Sequence, residues 1–195
     1  ASMPCNPSIG GPAKGVVVRE IDALGGQMGI TADKTYLQMK MLNTAKGPGV
    51  WCLRAQSDKL DYKNYMINVL KNEQNVELLE GCVDNLIIEN GICKGVVVNG
   101  TRYESKATIL TTGTYLEAKI LIGHRSEKHG PDQEKGAYGL SPHLKEIGLN
   151  LLRLKTGTPP RIYRDSVDFS KMEVQPGTEG KLAFSYTTKD FKPIE

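Results

Sequence analysis

Cys5 is the residue whose type and setting most invite chemistry. It lies between Pro4 and the pair Asn6-Pro7, and a proline confines the residue before it to extended backbone, so the loop carrying the thiol is stiff. Gly10-Gly11-Pro12 follows. Proline suits the first helical position because its absent N–H would have had no helical partner. Gly11 is then the N-cap of a helix over 12–24. Ala13, Val17, Ile21 and Leu24 fall on one face of that helix at helical spacing, and Gly25-Gly26 ends it. The pattern sets a thiol beside a glycine-lined helix N-terminus, where backbone amides and the helix dipole favour an electron-rich ligand. By residue type alone, Cys5 also reads as a small buried hydrophobe, and a glycine-rich turn is weak evidence of a site.

A second chemical stretch runs over 151–164, LLRLKTGTPPRIYR. It carries Arg153, Lys155, Arg161 and Arg164 and no acid. Thr156-Gly157-Thr158-Pro159-Pro160 reads as a rigid loop between two extended pieces. Four cations around a stiff loop suit a phosphate-bearing ligand; the alternative is a basic edge strand whose charges deter aggregation.

The elements that must position these residues follow from period and punctuation. A second helix is capped by Thr31 or Asp33, carries Leu37, Met41 and Ala45 as its apolar stripe, and stops at Gly47-Pro48-Gly49. An extended piece over 50–53 leads into RAQSDK, where Ser57 caps a third helix reaching about Lys71. Tyr62, Met66, Val69 and Leu70 form its inward face. A strand over 76–79 after that helix suggests a parallel-sheet α/β unit. The period then changes. Strands over 83–89 and 92–98 flank Asn90-Gly91, a strong hairpin signal, and Asn99-Gly100 turns the chain into a third strand over 101–104. A buried strand is expected over 107–110. Residues 117–137 read as polar and irregular, with His124 and His129 as surface histidines. A helix over 139–147 is capped near Ser141, with Leu140, Leu144 and Ile147 inward. Short strands are expected over 172–174 and 182–186, and a frayed end over 190–195.

Composition is that of a globular chain: 195 residues, 39% hydrophobic and 24% charged. No apolar run approaches the roughly 20 residues needed to span a bilayer, so no membrane contact is expected. The four cysteines form no CxxC and have no histidine at zinc-binding spacing, so no metal site is expected and a reducing, cytoplasmic setting is the simplest reading. The net charge of +3 is too small to argue for nucleic acid by itself.

The stretches CNPSIGGPAKG with REIDALGG, LNTAKGPGVWCLRAQSDK, ATILTTGTYL, and RLKTGTPPRI with VDFS together resemble the MnmG/GidA family, in the family's order and at similar spacing, from Met3 to about Tyr186. The resemblance implies an FAD-dependent enzyme that modifies C5 of the wobble uridine of certain tRNAs. Its co-substrates would be NADH and methylene-tetrahydrofolate, with glycine or ammonium as the amine donor. It would be a homodimer assembling with the GTPase MnmE.

The implied fold class is α/β: a partial two-dinucleotide-binding FAD domain, with a parallel sheet, helices and a small antiparallel β-meander, followed by the start of an inserted α/β domain. The expected divisions are 1–2 as a vector-derived scar, 3–122 as the FAD-binding domain without its GxGxxG unit, 123–150 as a loop and connecting helix, and 151–195 as part of the inserted substrate or NADH domain. The chain reads as an internal fragment that lacks material on both sides, including a second family cysteine, and is expected to be inactive alone.

Carried over residue by residue, the resemblance makes Cys5 the covalent or acid/base residue. Asn6, Gly10, Gly11, Arg54, Gln56, the backbone at Val83, Thr112, Gly113, Thr114 and Ala137 would be the cofactor contacts. For Arg54 and Gln56 the alternative is a solvated loop with a structural ion pair, and Val83 is also an ordinary core valine. The assignment of Ala137 is by position, since HGPDQEKG departs from the commoner GRAG-like loop. Arg153, Lys155 and Arg161 would meet tRNA, the nicotinamide dinucleotide or a folate tail. The rival activities are a folate- and FAD-dependent tRNA uridine methyltransferase acting on the T-loop, and a non-catalytic scaffold or partner-binding fragment.

Overall fold

The structure is a computed structural model that describes residues 2–191. It is mixed α/β, and the chain divides into two compact units, residues 1–77 with 157–195 and residues 78–156.

In the first unit, β1 (Ser8–Gly10) leads through Gly11 into α1 (Pro12–Ala23), and α2 (Gln27–Thr35) follows. The α1 end is a Schellman closure: Gly26 N–H donates to the Ile21 carbonyl at 2.8 Å and Gly25 N–H to Asp22 at 2.9 Å, with Gly25 at φ +86°. The inward face of α1 differs from the expected one. Gly15 and Val18 are buried, while Val17 and Leu24 are 50% and 89% exposed. Gly15 faces Leu53, where a Cβ would make an ordinary contact at 3.5 Å from the carbonyl oxygen.

The second helix starts and ends earlier than the sequence predicts. Thr31 and Asp33 lie inside α2, not at its cap, and Leu37 and Met41 belong to β2 (Tyr36–Leu42). Residues four apart share a face in a strand as well as in a helix, so the stripe was ambiguous; pairing with β3 (Cys52–Ser57) decides it. Leu37 is the extra residue of a bulge between Tyr36, opposite Ser57, and Gln38, opposite Gln56. The sheet order is β1-β3-β2, antiparallel throughout, which makes β3 the central strand. Then α3 (Lys59–Asn72) is capped by Asp58 rather than Ser57. The Asp58 carboxylate accepts Leu60 and Asp61 N–H at 2.8 and 2.9 Å, while Ser57 is buried at the end of β3.

The core joins Ile9, Val18, Met39, Ala55, Tyr62 and Phe184. Phe184 comes from the returning segment and is fully buried. The predicted strands over 172–174 and 182–186 are absent. Instead, the Asp33 carboxylate, 2% exposed, accepts Phe184 N–H at 2.8 Å, Ser185 N–H at 2.9 Å and the Thr188 hydroxyl at 2.6 Å. A buried carboxylate replaces the ladder, while Met172 and Val174 stay exposed. The frayed end expected over 190–195 lies mostly outside the described residues.

In the second unit, β4 (Val83–Glu89), β5 (Ile92–Val98) and β6 (Thr101–Glu104) form an antiparallel meander. The predicted turns hold. Asn90 and Gly91 have φ of 52° and 76°, and Asn99 and Gly100 have 49° and 79°; two positive values are what a type I′ hairpin needs. The expected parallel strands over 76–79 and 107–110 have no ladder among the described residues, and Leu79 and Ile109 are 62% and 85% exposed. A strand requires a partner, and neither segment has one here.

Residues 117–137 are less irregular than expected. Ile120–Ile122 (β7) pairs with Arg125–Glu127 (β8), the turn passing through Gly123 at φ +56°. The helix α4 (Leu140–Glu146) begins before Ser141 and has no side-chain cap. Leu140 and Leu144 pack with Leu86, and Ile147 is 38% exposed. Residues 151–163 form no ladder strand, so the extended flanks expected of the basic stretch are loop; the boundary between units falls within it, at 156/157.

Candidate functional site

The Cys5 loop is anchored at the Ser8 end of the sheet. Ser57 N–H donates to the Pro7 carbonyl at 2.7 Å, and Ser8 N–H to the Asn6 carbonyl at 2.7 Å. These bonds hold the loop against the end of β3. Cys5 is half-buried and in no disulfide. It lines a cleft of about 340 Å³ with Asn6, Gln56, Lys59, Pro160 and Arg161 among its walls. Gln56 Nε2 donates to Asn6 Oδ1 at 3.5 Å, a long bond, and Arg161 Nη2 donates to the Pro4 carbonyl at 3.4 Å.

The structure thus gathers Cys5, Asn6, Gln56 and Arg161, residues from 5–6, 56 and 161, around one space. Gln56 sits on a central strand, not in a solvated loop, and reaches the cleft because Ser8 lies opposite it in the ladder.

Gly10 and Gly11 lie at the other end of β1, where Gly10 is opposite Arg54. Gly10, at φ +104°, has no room for a side chain: a Cβ would run into the Leu53 carbonyl and stand 2.6 Å from Phe184 Cζ. Gly11, at φ +97°, donates its N–H to Leu53 at 3.0 Å, and nothing lies within 4 Å of where its Cβ would be. The α1 N-terminus has no side-chain cap.

The other candidates belong to the second unit. Val83 opens β4 opposite Val98. Thr112, Gly113 and Thr114 are exposed, with Gly113 at φ +59° and empty space beside it. Ala137 is bridged to Leu116; its N–H donates to Tyr115 at 2.9 Å and its carbonyl accepts from Glu117 at 2.7 Å. Arg153 donates from Nη1 to the Glu117 carbonyl at 3.0 Å and pairs with the Glu117 carboxylate at 3.6 Å, while Lys155 is exposed.

A family model, glucose inhibited division protein A, matches residues 1–195. The chain belongs to the GidA family. It is 54% identical over 192 residues to a Bacillus subtilis protein named tRNA uridine 5-carboxymethylaminomethyl modification enzyme MnmG, a match covering 98% of this chain and 31% of that protein. A Listeria monocytogenes protein of the same name is 53% identical over 189 residues, 96% of this chain and 30% of that protein. Two structures of Aquifex aeolicus GidA superpose with TM-scores of 0.90 and 0.91 at 45% and 43% identity, covering 97% and 100% of this chain and 31% and 33% of theirs. The chain therefore spans about a third of the length of the GidA relatives it matches.

The family's flavin has features to meet in this chain. The empty space beside Gly11 and the uncapped start of α1 allow the backbone to approach an anionic group, which a Cβ at Gly11 would obstruct. The first-unit residues fit such a group. Among the described residues no cluster of three His, Cys, Asp or Glu side chains could hold a metal.

One lining residue escaped the sequence reading. Lys59, the first residue of α3, faces the cleft.

Proposed function

We propose that this chain is part of an FAD-dependent enzyme that adds a carboxymethylaminomethyl or aminomethyl group to C5 of the wobble uridine of tRNA. Its co-substrates are methylene-tetrahydrofolate and NADH. The observation that carries the reading is Cys5, set in a cleft with two cations and two carboxamides in a chain more than half identical to a protein named for that modification. The enzyme is a cytoplasmic homodimer that works with the GTPase MnmE. The segment alone is inactive.

C5 of uracil is a poor nucleophile. In this reading the Cys5 thiolate adds to C6, the C5–C6 π electrons move toward O4, and C5 becomes enolate-like. Once C5 has bonded to the incoming carbon, loss of the C5 proton expels the thiolate and restores the ring. The base must leave its stack to be reached, and the prolines at 159–160 offer it an apolar wall. Flavin, when bound, supplies the redox step that couples NADH to the folate-borne carbon. Asn6, Gly10, Gly11, Arg54 and Gln56 are the first unit's candidates to hold it, and Val83, Thr112, Gly113, Thr114 and Ala137 are the second unit's own candidates. Arg153 and Lys155 serve the phosphate-bearing co-substrates.

The test is Cys5→Ser in a chain of the relatives' full length, read by nucleoside analysis of the tRNA. Loss of the C5 modification with flavin absorbance retained is expected. Normal wobble modification by that variant excludes the nucleophilic role. The T-loop methyltransferase alternative is separated by the same analysis, because its product is a different nucleoside.

A further inference from the structure

Phe184 is the largest fully buried side chain among the described residues, and its ring ends against the glycine turn that opens α1. The ring atom Cζ would stand 2.6 Å from a Cβ at Gly10, so the ring fills the space a side chain there would need. Ile9, the residue before, packs in the same cluster. Gly10 and Gly11 take φ of +104° and +97°. Glycine adopts such values freely and loses the most conformational freedom when fixed, so the turn must be held from outside. The Leu53 carbonyl holds it from β3, accepting Gly11 N–H at 3.0 Å; Phe184 holds it from the core. The ring is itself fixed by charged side chains on two helices. Arg19 Nη2 donates to the Ala183 carbonyl at 3.0 Å, with its guanidinium 5.9 Å from the ring centroid. Asp22, also on α1, accepts Tyr186 N–H at 3.0 Å, and Asp33 on α2 accepts Phe184 and Ser185 N–H. Three consecutive amides thus end on carboxylates, which leaves the segment little freedom to slide.

We infer that Phe184 is a positioning residue for flavin: held by Arg19, Asp22 and Asp33, it sets where the Gly10–Gly11 turn presents its backbone to an anionic group of the cofactor. This rests on the flavin-dependent reading and adds to it a residue from the far end of the chain. The turn supplies the contact, and the returning segment supplies its place.

The experiment titrates FAD into a chain of the relatives' full length, freed of flavin, as parent, Phe184→Leu, Phe184→Tyr, Arg19→Met and Met66→Ala. Amide exchange at Gly11 is followed without flavin. Displacing the turn forfeits about one charge-assisted hydrogen bond, so Phe184→Leu should raise the dissociation constant roughly tenfold and speed exchange at Gly11. Phe184→Tyr adds a hydroxyl to the ring atom nearest Gly10 and should act in the same direction by overpacking. Arg19→Met leaves the core unchanged and should give a smaller rise. Met66 packs against the same core from α3, so Met66→Ala loosens that core away from the turn and should bind flavin like the parent. Parent-like affinity in both Phe184→Leu and Arg19→Met overturns the inference while leaving the enzymatic reading intact. An equal rise in Met66→Ala also overturns it, because general loosening of the core would then account for the loss. A folded parent that binds no flavin removes both this inference and the reading beneath it.

Discussion

The two units of this chain encode their structure in different ways. The β4–β6 meander is specified by neighbours: strands of period two and two Asn-Gly turns, each with the pair of positive φ values that fixes a hairpin's register. The first unit is specified across the chain. Its core is completed by Phe184, held through Asp33, a partner more than 150 residues earlier, and its cleft is completed by Arg161 on Pro4. The difference shows where distant parts of the chain converge. The unit assembled from distant parts is the one that brings Cys5, Gln56, Lys59 and Arg161 together.

The comparison can be broken at Phe184. Phe184→Ala should cost about 3–5 kcal/mol, read as a lower urea midpoint for the first unit with amide-exchange protection of β4–β6 unchanged. Protection lost equally in both units would show that they unfold as one.

Asp33→Ala should act on the same unit more mildly, by about 3 kcal/mol, because it leaves the Phe184 and Ser185 amides unpaired in buried surroundings. Asp33→Asn should not restore parent stability, because its one acceptor oxygen cannot serve the donors that both carboxylate oxygens accept and its Nδ2 would face another donor. Gly91→Ala should reverse the pattern. It forces a side chain into φ +76° at roughly 1–2 kcal/mol, loosening β4 and β5 while the first unit keeps its midpoint.

The smallest effect concerns His129, whose ring nitrogens lie 2.7 Å from the Gly130 carbonyl and 3.0 Å from the Glu127 carboxylate. Those two acceptors favour the imidazolium and raise its pKa above the ordinary histidine value. A raised folded pKa means the tie is fully present below the unfolded value and is lost as pH rises through the folded one. Amide exchange at 129–130 should therefore speed up, beyond its intrinsic base catalysis, as pH rises through that raised pKa. Equal protection in parent and His129→Gln across that range would contradict this.

What was legible follows the same division. The bounds of β4, β5 and β6, the Gly11 start and Gly25-Gly26 end of α1, and the Cys5 loop depend on nearby residues, and the sequence predicts them closely. The missed features depend on remote ones. Leu37 and Met41 fit either period until β3 pairs with them. Segments 76–79 and 107–110 carry strand-like residues, but ladder formation depends on a partner. The role of Asp33 was hidden because a cap residue and a buried anchor use the same carboxylate. At the site, Cys5, Asn6, Gln56 and Arg161 were legible through the family's motifs. Lys59 was not, because its place depends on which residue caps α3.

The central claim is that Cys5 is the nucleophile of this cleft. The direct measurement is mass spectrometry of a chain of the relatives' full length, turned over with its co-substrates on tRNA carrying 5-fluorouridine at the wobble position. Thiol addition at C6 followed by bonding at C5 leaves fluorine where a proton would depart, so the adduct persists. The account predicts tRNA fixed to the peptide containing Cys5. An adduct on another residue, or none while the unfluorinated tRNA is modified normally, would contradict it.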